Sequence, residues 1–230
     1  MLVLVVDAAT PAVTAAVAAV DAAGVRLLAH RTTVDARGHG ELLAPHVAAA
    51  LAEAGARPGD LGAVVAGTGP GPYTGLRVGL VTAAAIAQAC GIPAYGVCSL
   101  DALGVAAVDA GAATGRLLVA TDARRREIYW AVYDGAGGRV AGPAVDRPAE
   151  VATRLAGLNV VAAVGEGAHR YAVDLGVPVR DEPRYPPAAS LAVLAADRIR
   201  AAAPGERLVP RYLRRPDALA PAAPKPVSPR

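Results

Sequence analysis

Residues 1–34, MLVLVVDAATPAVTAAVAAVDAAGVRLLAHRTTV, contain three short apolar runs separated by two turn signals. The first run, Leu2 to Val6, stops at Asp7, and the second, Val13 to Val20, follows a Thr-Pro break. The third, Val25 to Thr33, follows Asp-Ala-Ala-Gly, whose glycine suits a hairpin turn. Runs of this kind predict strands, and such short connections predict that neighbouring strands pair antiparallel. We therefore expect a three-stranded antiparallel meander at the start of the chain.

Helical and strand patterns alternate after this meander. Residues 41–54 have apolar side chains at helical spacing, with Pro45 expected in or just before the first turn. A strand at 61–67, a helix at 75–90, a strand at 92–97 and a helix from Ser99 to about Asp109 follow. The order β-β-β-α-β-α-β-α differs from that of a dinucleotide-binding fold and is typical of the superfold of actin, Hsp70 and sugar kinases. We expect an α/β protein of this ASKHA class with two α/β lobes, residues 1–108 forming the first.

The second half of the chain starts again with strands. Residues 117–121 and 127–133 predict two strands around a polar turn, and no internal repeat is visible in the sequence. We expect 109–214 to form a second, smaller α/β domain, with the helix at 189–203 as a candidate to pack back on the first. Residues 215–230 contain five prolines and almost no large apolar side chain. This composition predicts a disordered tail.

Composition excludes several function classes. The 230 residues are 54% hydrophobic but contain no Phe, and the net charge of +3 is too small to indicate nucleic-acid binding by itself. Cys90 and Cys98 lie alone in apolar surroundings, which fits buried side chains in a reducing compartment. The start of the chain lacks a basic region, and the apolar stretch 80–97 is interrupted by polar and turn residues. We expect a cytoplasmic protein that does not span a membrane.

Residues 67–79, GTGPGPYTGLRVG, raise the question of a phosphate site. Glycine-rich loops at helix starts cradle phosphate with backbone N–H groups, but Pro70 and Pro72 lack that donor and no lysine is present. A turn that sets a helix for packing, a degenerate loop that faces a nucleotide, and a true phosphate site all remain open. The helix also places Arg77 near its positive end, so we expect an anionic partner, either Asp7 or a ligand. The residues of this nucleotide-facing candidate are Asp7, Thr10, Gly69, Gly71, Thr74 and Arg77.

Small side chains recur at helical spacing behind this loop. They form one stripe on the second helix and another on the first, at Gly75, Gly79, Ala83, Ala87 and at Ala44, Ala48, Ala52. Small stripes let helix backbones approach closely. Two interpretations remain open: each stripe packs on its own sheet, or the two helices together present a flat surface to a partner.

Two further groups of residues carry weaker signals. Arg124, Arg125 and Arg126 lie beside Tyr129 and Trp130, which suits either RNA contact or a solvated turn next to a core. Two histidines, at positions 39 and 46, are seven residues apart with a proline between them. Histidines that share a metal on a helix are typically four apart, so we expect no metal site.

Several segments resemble those of one protein family, both in their residues and in their order along the chain. They are VVDAAT, HGELLAPHVAAALAEAG, GPGPYTGLRVGLVTAAAIAQACGIPAYGVCSLDAL, DARRREIYWAVY and PRYLR. The chain resembles the TsaB (YeaZ) family, over nearly its whole length up to about Arg214. Some positions depart from the family: Ala8 and Ala9 stand where it typically has Thr-Ser, and Pro72-Tyr73 where it usually has Ser-Phe.

The resemblance implies a non-catalytic subunit in the synthesis of N6-threonylcarbamoyladenosine in tRNA. It implies that this subunit pairs with a TsaD-like catalytic subunit through helices 41–54 and 75–89. It also implies that a TsaE-like ATPase takes part, and that the complex uses ATP and Mg to modify tRNA. We expect that this chain has no catalytic residue and binds no cofactor, and that the isolated protein forms a homodimer. The expected interface residues are Leu43, Ala44, Val47, Ala48, Leu51, Gly75, Gly79, Ala83 and Ala87. A small-molecule kinase or ATPase of the same superfold and a free-standing regulatory homodimer are the alternatives.

Overall fold

A computed structural model of the chain describes residues 1–112 and 114–214, and the predicted tail at 215–230 lies outside the described residues. The first lobe contains a five-stranded sheet in the order β3-β2-β1-β4-β5. Its strands are β1 (Leu2–Asp7), β2 (Ala12–Asp21), β3 (Gly24–Val34), β4 (Leu61–Gly67) and β5 (Ala94–Val97). The first three strands pair antiparallel, whereas β1, β4 and β5 run parallel. The predicted meander is thus the start of a mixed sheet.

The second lobe repeats this topology with one strand fewer. Its sheet has the order β8-β7-β6-β9, which is the order third-second-first-fourth, as in the first lobe. The strands are β6 (Arg116–Asp122), β7 (Ile128–Tyr133), β8 (Arg139–Asp146) and β9 (Val160–Val164). Again the first three are antiparallel and the fourth is parallel to the first. Two lobes of this repeated topology give the ASKHA class that the element order predicts.

Helices cover both faces of the first sheet. The helices of the chain are α1 (His39–Glu53), α2 (Tyr73–Cys90), α3 (Ser99–Asp109), α4 (Pro148–Leu155), α5 (Glu166–Arg170), α6 (Ala172–Leu175) and α7 (Ala188–Arg200). Leu4 and Val6 of β1 pack in one core with α1 and α2, whereas Val3 and Val5 pack in a second core with α7. Because both faces are covered, β1 reads as a continuous apolar run.

Helix α3 connects the two lobes. Leu100, Leu103 and Ala107 pack in the core of the second lobe, and Gly104 lies directly against the ring of Tyr133. A Cβ at position 104 would come within 2.7 Å of that ring. Helix α7, in contrast, packs on the first sheet. The lobes therefore do not divide cleanly between residues 108 and 109. Helix α3 follows the strands of the first lobe but packs in the second, and α7 follows the strands of the second lobe but packs on the first.

Two details of the helices differ from the sequence expectation. Helix α1 begins at His39, so Pro45 is its seventh residue rather than part of the first turn. Pro45 is exposed, so the helix carbonyl that loses its N–H partner lies on the solvent side, where water is available. Helix α7 ends at Arg200 rather than 203. No helix within residues 1–112 and 114–214 is long and apolar enough to cross a membrane.

Candidate functional site

Asp7 ends β1 and is held inside the protein. It is 2% exposed, accepts a 2.6 Å hydrogen bond from Ser99 Oγ at Oδ2, and accepts a 3.1 Å bond from the N–H of Ala9 at Oδ1. Burial raises the pKa of Asp7 to about 6, against the lowering effect of these hydrogen bonds. The strand-end carboxylate is thus committed to internal partners, and the expected pairing with Arg77 is wrong.

The glycine-rich loop packs on this carboxylate. A Cβ at position 67 would lie 1.7 Å from Asp7 Oδ2, and one at position 71 would lie 2.2 Å from the carbonyl oxygen of Ala9. The N–H of Gly69 donates to Ser99 Oγ at 3.2 Å. Glycines are therefore required here because the loop lies against the turn between β1 and β2. This favours the packing interpretation of the loop over a phosphate cradle.

A cavity of about 550 Å³ opens beside this turn. It lies between the β1–β2 turn, the N-terminal ends of α1 and α2, and the turn between β6 and β7. Of the predicted nucleotide-facing residues, Thr10 and Thr74 line it, whereas Asp7, Gly69 and Gly71 are buried below it. Arg77 lies outside it, on a different surface of α2. Only part of the predicted set is therefore brought together.

His39 and Arg124 line the same cavity without having been predicted there. His39 is buried at the start of α1, and its Nε2 lies 2.8 Å from the carbonyl oxygen of Thr10. His46 Nε2 instead lies 2.9 Å from Thr33 Oγ1. Among the described residues, no group of three His, Cys, Asp or Glu side chains is placed to hold a metal ion. One signal for His39 in this cavity is visible in the sequence: a histidine directly after a glycine, where helix α1 begins.

The predicted small-residue stripe on α2 faces inward, which corrects the expected interface. A Cβ at position 75 would lie 2.9 Å from His39 and one at position 79 would lie 3.1 Å from Ala8, and Ala83 is 0% exposed. These residues let α2 approach the β1–β2 turn closely. The expected interface residues that lie in the protein's own core are Leu43, Val47, Leu51, Gly75, Gly79, Ala83 and Ala87.

The remaining interface candidates, Ala44 and Ala48, are exposed on α1. Ala52 continues their row one turn further. On the adjacent helix α2 the exposed residues include Val81, Ala84 and Ala85, and Val81 is 66% exposed. We name these six exposed residues of α1 and α2 the helical face. It is apolar, has short side chains, and lies on the solvent side of both helices.

The turn between β6 and β7 carries the predicted basic cluster. Arg124, Arg125 and Arg126 are exposed, and all three have left-handed backbone conformations, with φ of 62°, 53° and 60°. Asp122 Oδ2 lies 3.9 Å from Arg124 Nε and 3.1 Å from Arg170 Nη1. Tyr129 and Trp130 are buried in the second lobe, so the aromatic part of the RNA argument is wrong. Contact of the three arginines with RNA stays a prediction.

A segment after α7, residues 206–214, returns across the first lobe. We name it the strap. Glu206 accepts hydrogen bonds from the N–H of Gly96 and from Arg198, both at 2.6 Å, and Leu208 packs against the core beneath α1 and α2. Arg211 donates its N–H to the carbonyl oxygen of Thr68 at 2.9 Å, and Arg214 pairs with Glu127 of the second lobe. The strap therefore ties α7, the first sheet and the second lobe together.

The strap also brings Tyr212 to the surface of α2. Its ring stacks on that of Tyr73, with centroids 5.1 Å apart, and its Oη accepts a 2.8 Å hydrogen bond from Arg77 Nε. The guanidinium of Arg77 lies 3.7 Å from the centre of the Tyr73 ring. We name Tyr73, Arg77 and Tyr212 the tyrosine–arginine cluster. Sequence reasoning missed it, because Tyr212 is 135 positions away from Arg77.

These observations define the class first: a two-lobed protein of the ASKHA superfold whose strand-end carboxylate in the first lobe is enclosed. Comparison with known proteins then gives the family. The family described as "TsaD: tRNA N6-adenosine threonylcarbamoyltransferase" matches residues 26–181. The solved structure of YeaZ from Pseudomonas aeruginosa superposes with a TM-score of 0.75 at 27% identity, covering 92% of this chain and 99% of that one.

Two relatives illustrate the range of similarity. An uncharacterized protein of Mycobacterium leprae is 49% identical over 217 residues, which is 94% of this chain but 56% of that protein. The tRNA threonylcarbamoyladenosine biosynthesis protein TsaB of Escherichia coli is 37% identical over 97 residues, 42% of each protein. The matched region thus covers about half of the length of each of these two relatives. The chain belongs to the TsaD family and, within it, to the TsaB/YeaZ group.

Proposed function

We propose that this chain is a non-catalytic subunit in the synthesis of N6-threonylcarbamoyladenosine in tRNA, and that it binds a TsaD-type catalytic subunit. The contact surface is the helical face of α1 and α2. In this proposal the TsaD-type subunit, a TsaE-type ATPase, ATP and Mg²⁺ carry out the reaction on tRNA. This chain supplies the surface that holds the catalytic subunit in its active conformation, by binding that conformation better than the inactive one.

The observation that carries the proposal is the exposed helical face. Ala44 and Ala48 on α1 and Val81 and Ala85 on α2 offer short apolar side chains, to which another protein's helices can pack closely. The longer side chains of Glu41 and Arg77 lie one turn before this surface. Apolar residues exposed together on adjacent elements typically mark an interaction site. A stable interface buries about 800 Å² on each partner, and two adjacent helices of this length are a suitable size for it. The TsaD-family match and the TsaB relative support the choice of partner.

The first lobe also lacks features that ATP-dependent phosphoryl transfer needs. Such enzymes hold Mg²⁺ and phosphates with charged and backbone groups around the nucleotide. Asp7 is enclosed by Ser99 and Ala9, and the β1–β2 turn carries Ala8 and Pro11 where donors would be needed. These features support the proposal that this subunit has a binding role and that the partner carries out the chemistry.

Binding of the TsaD-type subunit from the same organism tests the proposal, by calorimetry with the purified full-length chain. We expect Ala48→Arg and Ala85→Arg each to weaken binding by about 100-fold or more, because a long charged side chain separates the two surfaces. Ala149→Arg is the matched control, since Ala149 is an exposed helical alanine on the second lobe, and it should bind as the unchanged chain does. Thermal unfolding of each variant shows whether it is folded. Unchanged affinity in both folded variants would rule out the helical face.

The cavity beside Thr10 favours a second candidate, nucleotide binding by this chain alone. Its volume of about 550 Å³ and the cations Arg37 and Arg124 at its rim are compatible with a phosphorylated ligand. Calorimetry with ATP and Mg²⁺ on the isolated chain decides between them: micromolar binding with turnover favours a kinase or ATPase. Light scattering with and without the partner tests the third alternative, a homodimer through the same helical face.

A further inference from the structure

The cluster around Arg77 has a cation but no anion. Arg77 lies on the exposed side of α2, one turn after the helix begins. Its Nε donates to Tyr212 Oη at 2.8 Å, and Tyr73 supports the flat face of the guanidinium at 3.7 Å. Within residues 1–112 and 114–214, Arg77 forms no ion pair with a carboxylate. The hydrogen bond to Tyr212 uses Nε, and no carboxylate within these residues pairs with the two terminal nitrogens of the guanidinium.

The two tyrosines fix the position of this guanidinium. A flexible arginine loses conformational entropy when it binds, whereas one already held by a ring and a hydroxyl loses less. The chain contains seven tyrosines and no phenylalanine, and two of those tyrosines lie at this exposed site. Tyrosine and arginine are also the residues enriched among those that dominate binding energy at interfaces. The ring contact and the hydrogen bond thus hold the guanidinium in one orientation before any partner binds.

An apolar groove adjoins the cluster. It has a volume of about 390 Å³ and runs between α2 and the strap. Its walls are Leu80, Val81 and Ala84 from α2 and Leu208 and Pro210 from the strap, and Arg77 with Tyr212 closes one end. Val81 and Ala84 belong to the helical face as well. The groove is therefore continuous with the surface assigned above to the catalytic subunit.

We propose that this groove binds a segment of the TsaD-type partner that carries an aspartate or glutamate next to apolar side chains. The carboxylate pairs with the two terminal nitrogens of Arg77 in the bidentate arrangement that guanidinium groups favour. The apolar neighbours of that acidic residue fill the space between α2 and the strap. This inference rests on the proposed function and adds to it the chemistry by which the partner is recognised.

A protein segment fits this site better than a nucleic acid does. Nucleic-acid surfaces neutralise several phosphates with several Lys or Arg side chains. Here a single arginine stands at the end of a groove whose other walls are apolar, apart from the hydroxyl of Tyr212. The basic turn at Arg124 lines a different cavity, which shares Tyr73 with the cluster but none of the residues that line the groove.

Calorimetry with the TsaD-type subunit from the same organism, at two salt concentrations, tests the inference. We expect Arg77→Gln to weaken binding by about 10- to 100-fold and to flatten the salt dependence. Arg77→Lys keeps the charge but loses the fork of two donors, so it should recover only part of the affinity. Tyr212→Phe removes the hydroxyl that orients Arg77 and keeps the ring, and it should cost a few-fold.

Arg26→Gln is the matched control, because Arg26 is an exposed arginine on β3, away from α2. The affinity of this variant for the partner should stay within twofold of that of the unchanged chain. Arg77→Gln that folds normally and binds as tightly as the unchanged chain overturns the inference. If Ala48→Arg still abolishes binding in that case, the proposed function stands and only the groove is wrong. If the unchanged chain does not bind the partner, both fail. An effect of Arg77→Gln confined to self-association or to tRNA binding assigns the groove to another occupant and likewise overturns the inference.

Discussion

The two lobes share one strand order but treat the end of their first strand differently. In the first lobe, Asp7 is enclosed by Ser99 and the N–H of Ala9. In the second lobe, Asp122 occupies the corresponding position at the end of β6 and pairs with Arg170, whose side chain is 57% exposed. The other carboxylate oxygen of Asp122, Oδ1, has no hydrogen-bond partner in the described part of the chain. The same topology thus gives a strand end closed by internal hydrogen bonds in one lobe, and in the other a buried carboxylate that is paired with exposed arginines.

The two strand ends differ in what surrounds them: close packing of α2 in the first lobe, and charged arginine side chains in the second. The closed end allows α2 to approach β1 closely through glycines, which leaves the opposite, apolar side of α2 exposed. In the second lobe, Arg124 and Arg170 lie around the buried carboxylate of Asp122, and Arg124 also lines the cavity. The exposed side of α2 is the part of the first lobe on which the proposed contact with another protein depends, whereas each lobe contributes one arginine, Arg37 and Arg124, to the cavity.

Gly67→Ala should have the largest effect on this arrangement. A Cβ at position 67 would lie 1.7 Å from Asp7 Oδ2, so the enclosed carboxylate or the strand must move. We expect the free energy of unfolding to fall by about 3 kcal/mol or more, measured by denaturant titration. Gly59→Ala is the control, because a Cβ at position 59 would meet no atom within 4 Å. Equal stability of the two variants would contradict the enclosed geometry.

Asp7→Asn should sharpen the comparison through its pH dependence. The folded-state pKa of about 6 lies above the reference value of 3.8, so the folded protein binds a proton more tightly than the unfolded chain. The contribution of Asp7 to stability is therefore fully present below pH 3.8 and is lost as the pH rises through about 6. The whole shift corresponds to about 3 kcal/mol.

The measurement is the free energy of unfolding of both proteins from pH 4 to pH 7. We expect the unchanged chain to lose stability relative to Asp7→Asn over this range. Asp197→Asn is the control, because the side chain of Asp197 is 100% exposed, and it should follow the unchanged chain at every pH. Parallel curves for the unchanged chain and Asp7→Asn would show that Asp7 titrates like an exposed carboxyl.

Asp122→Asn should have the smallest effect. Its partner Arg170 is largely exposed, which limits the ion pair to about 1 kcal/mol, and removing the charge of the buried Asp122 also removes its desolvation cost. We expect a loss below about 1 kcal/mol that shrinks further at high salt, measured by denaturant titration in low and high salt. A loss as large as that of Gly67→Ala would mean that the ion pair with Arg170 holds the second strand end as firmly as packing holds the first.

The sequence was sufficient to predict the topology of the first lobe. Val-rich runs joined by short turns predict antiparallel strands, and the alternation of helices and strands after Val34 predicts the element order, in which the structure pairs β1, β4 and β5 in parallel. The second lobe was harder to predict. Its repeat of the first lobe lies in the strand order, which no internal sequence similarity reveals.

The site was only partly predictable, because helix α2 is apolar on both sides. The stripe that contains Gly79 and Ala83 faces inward, and the opposite side, with Val81 and Ala85, faces outward. Spacing alone does not say which side meets the sheet, since both have small side chains at helical intervals. The contact between Arg77 and Tyr212 depends on the strap returning across the lobe, which no local pattern encodes.

The most direct test of the central claim is tRNA modification in a reconstituted reaction with the TsaD-type and TsaE-type subunits, ATP and Mg²⁺. The claim is that this chain acts by binding through its helical face and contributes no catalytic group. We predict that Ala48→Arg abolishes formation of N6-threonylcarbamoyladenosine, whereas folded Asp7→Asn supports the same rate as the unchanged chain. Loss of modification with Asp7→Asn while it still binds the partner, or full activity with folded Ala48→Arg, would contradict the account.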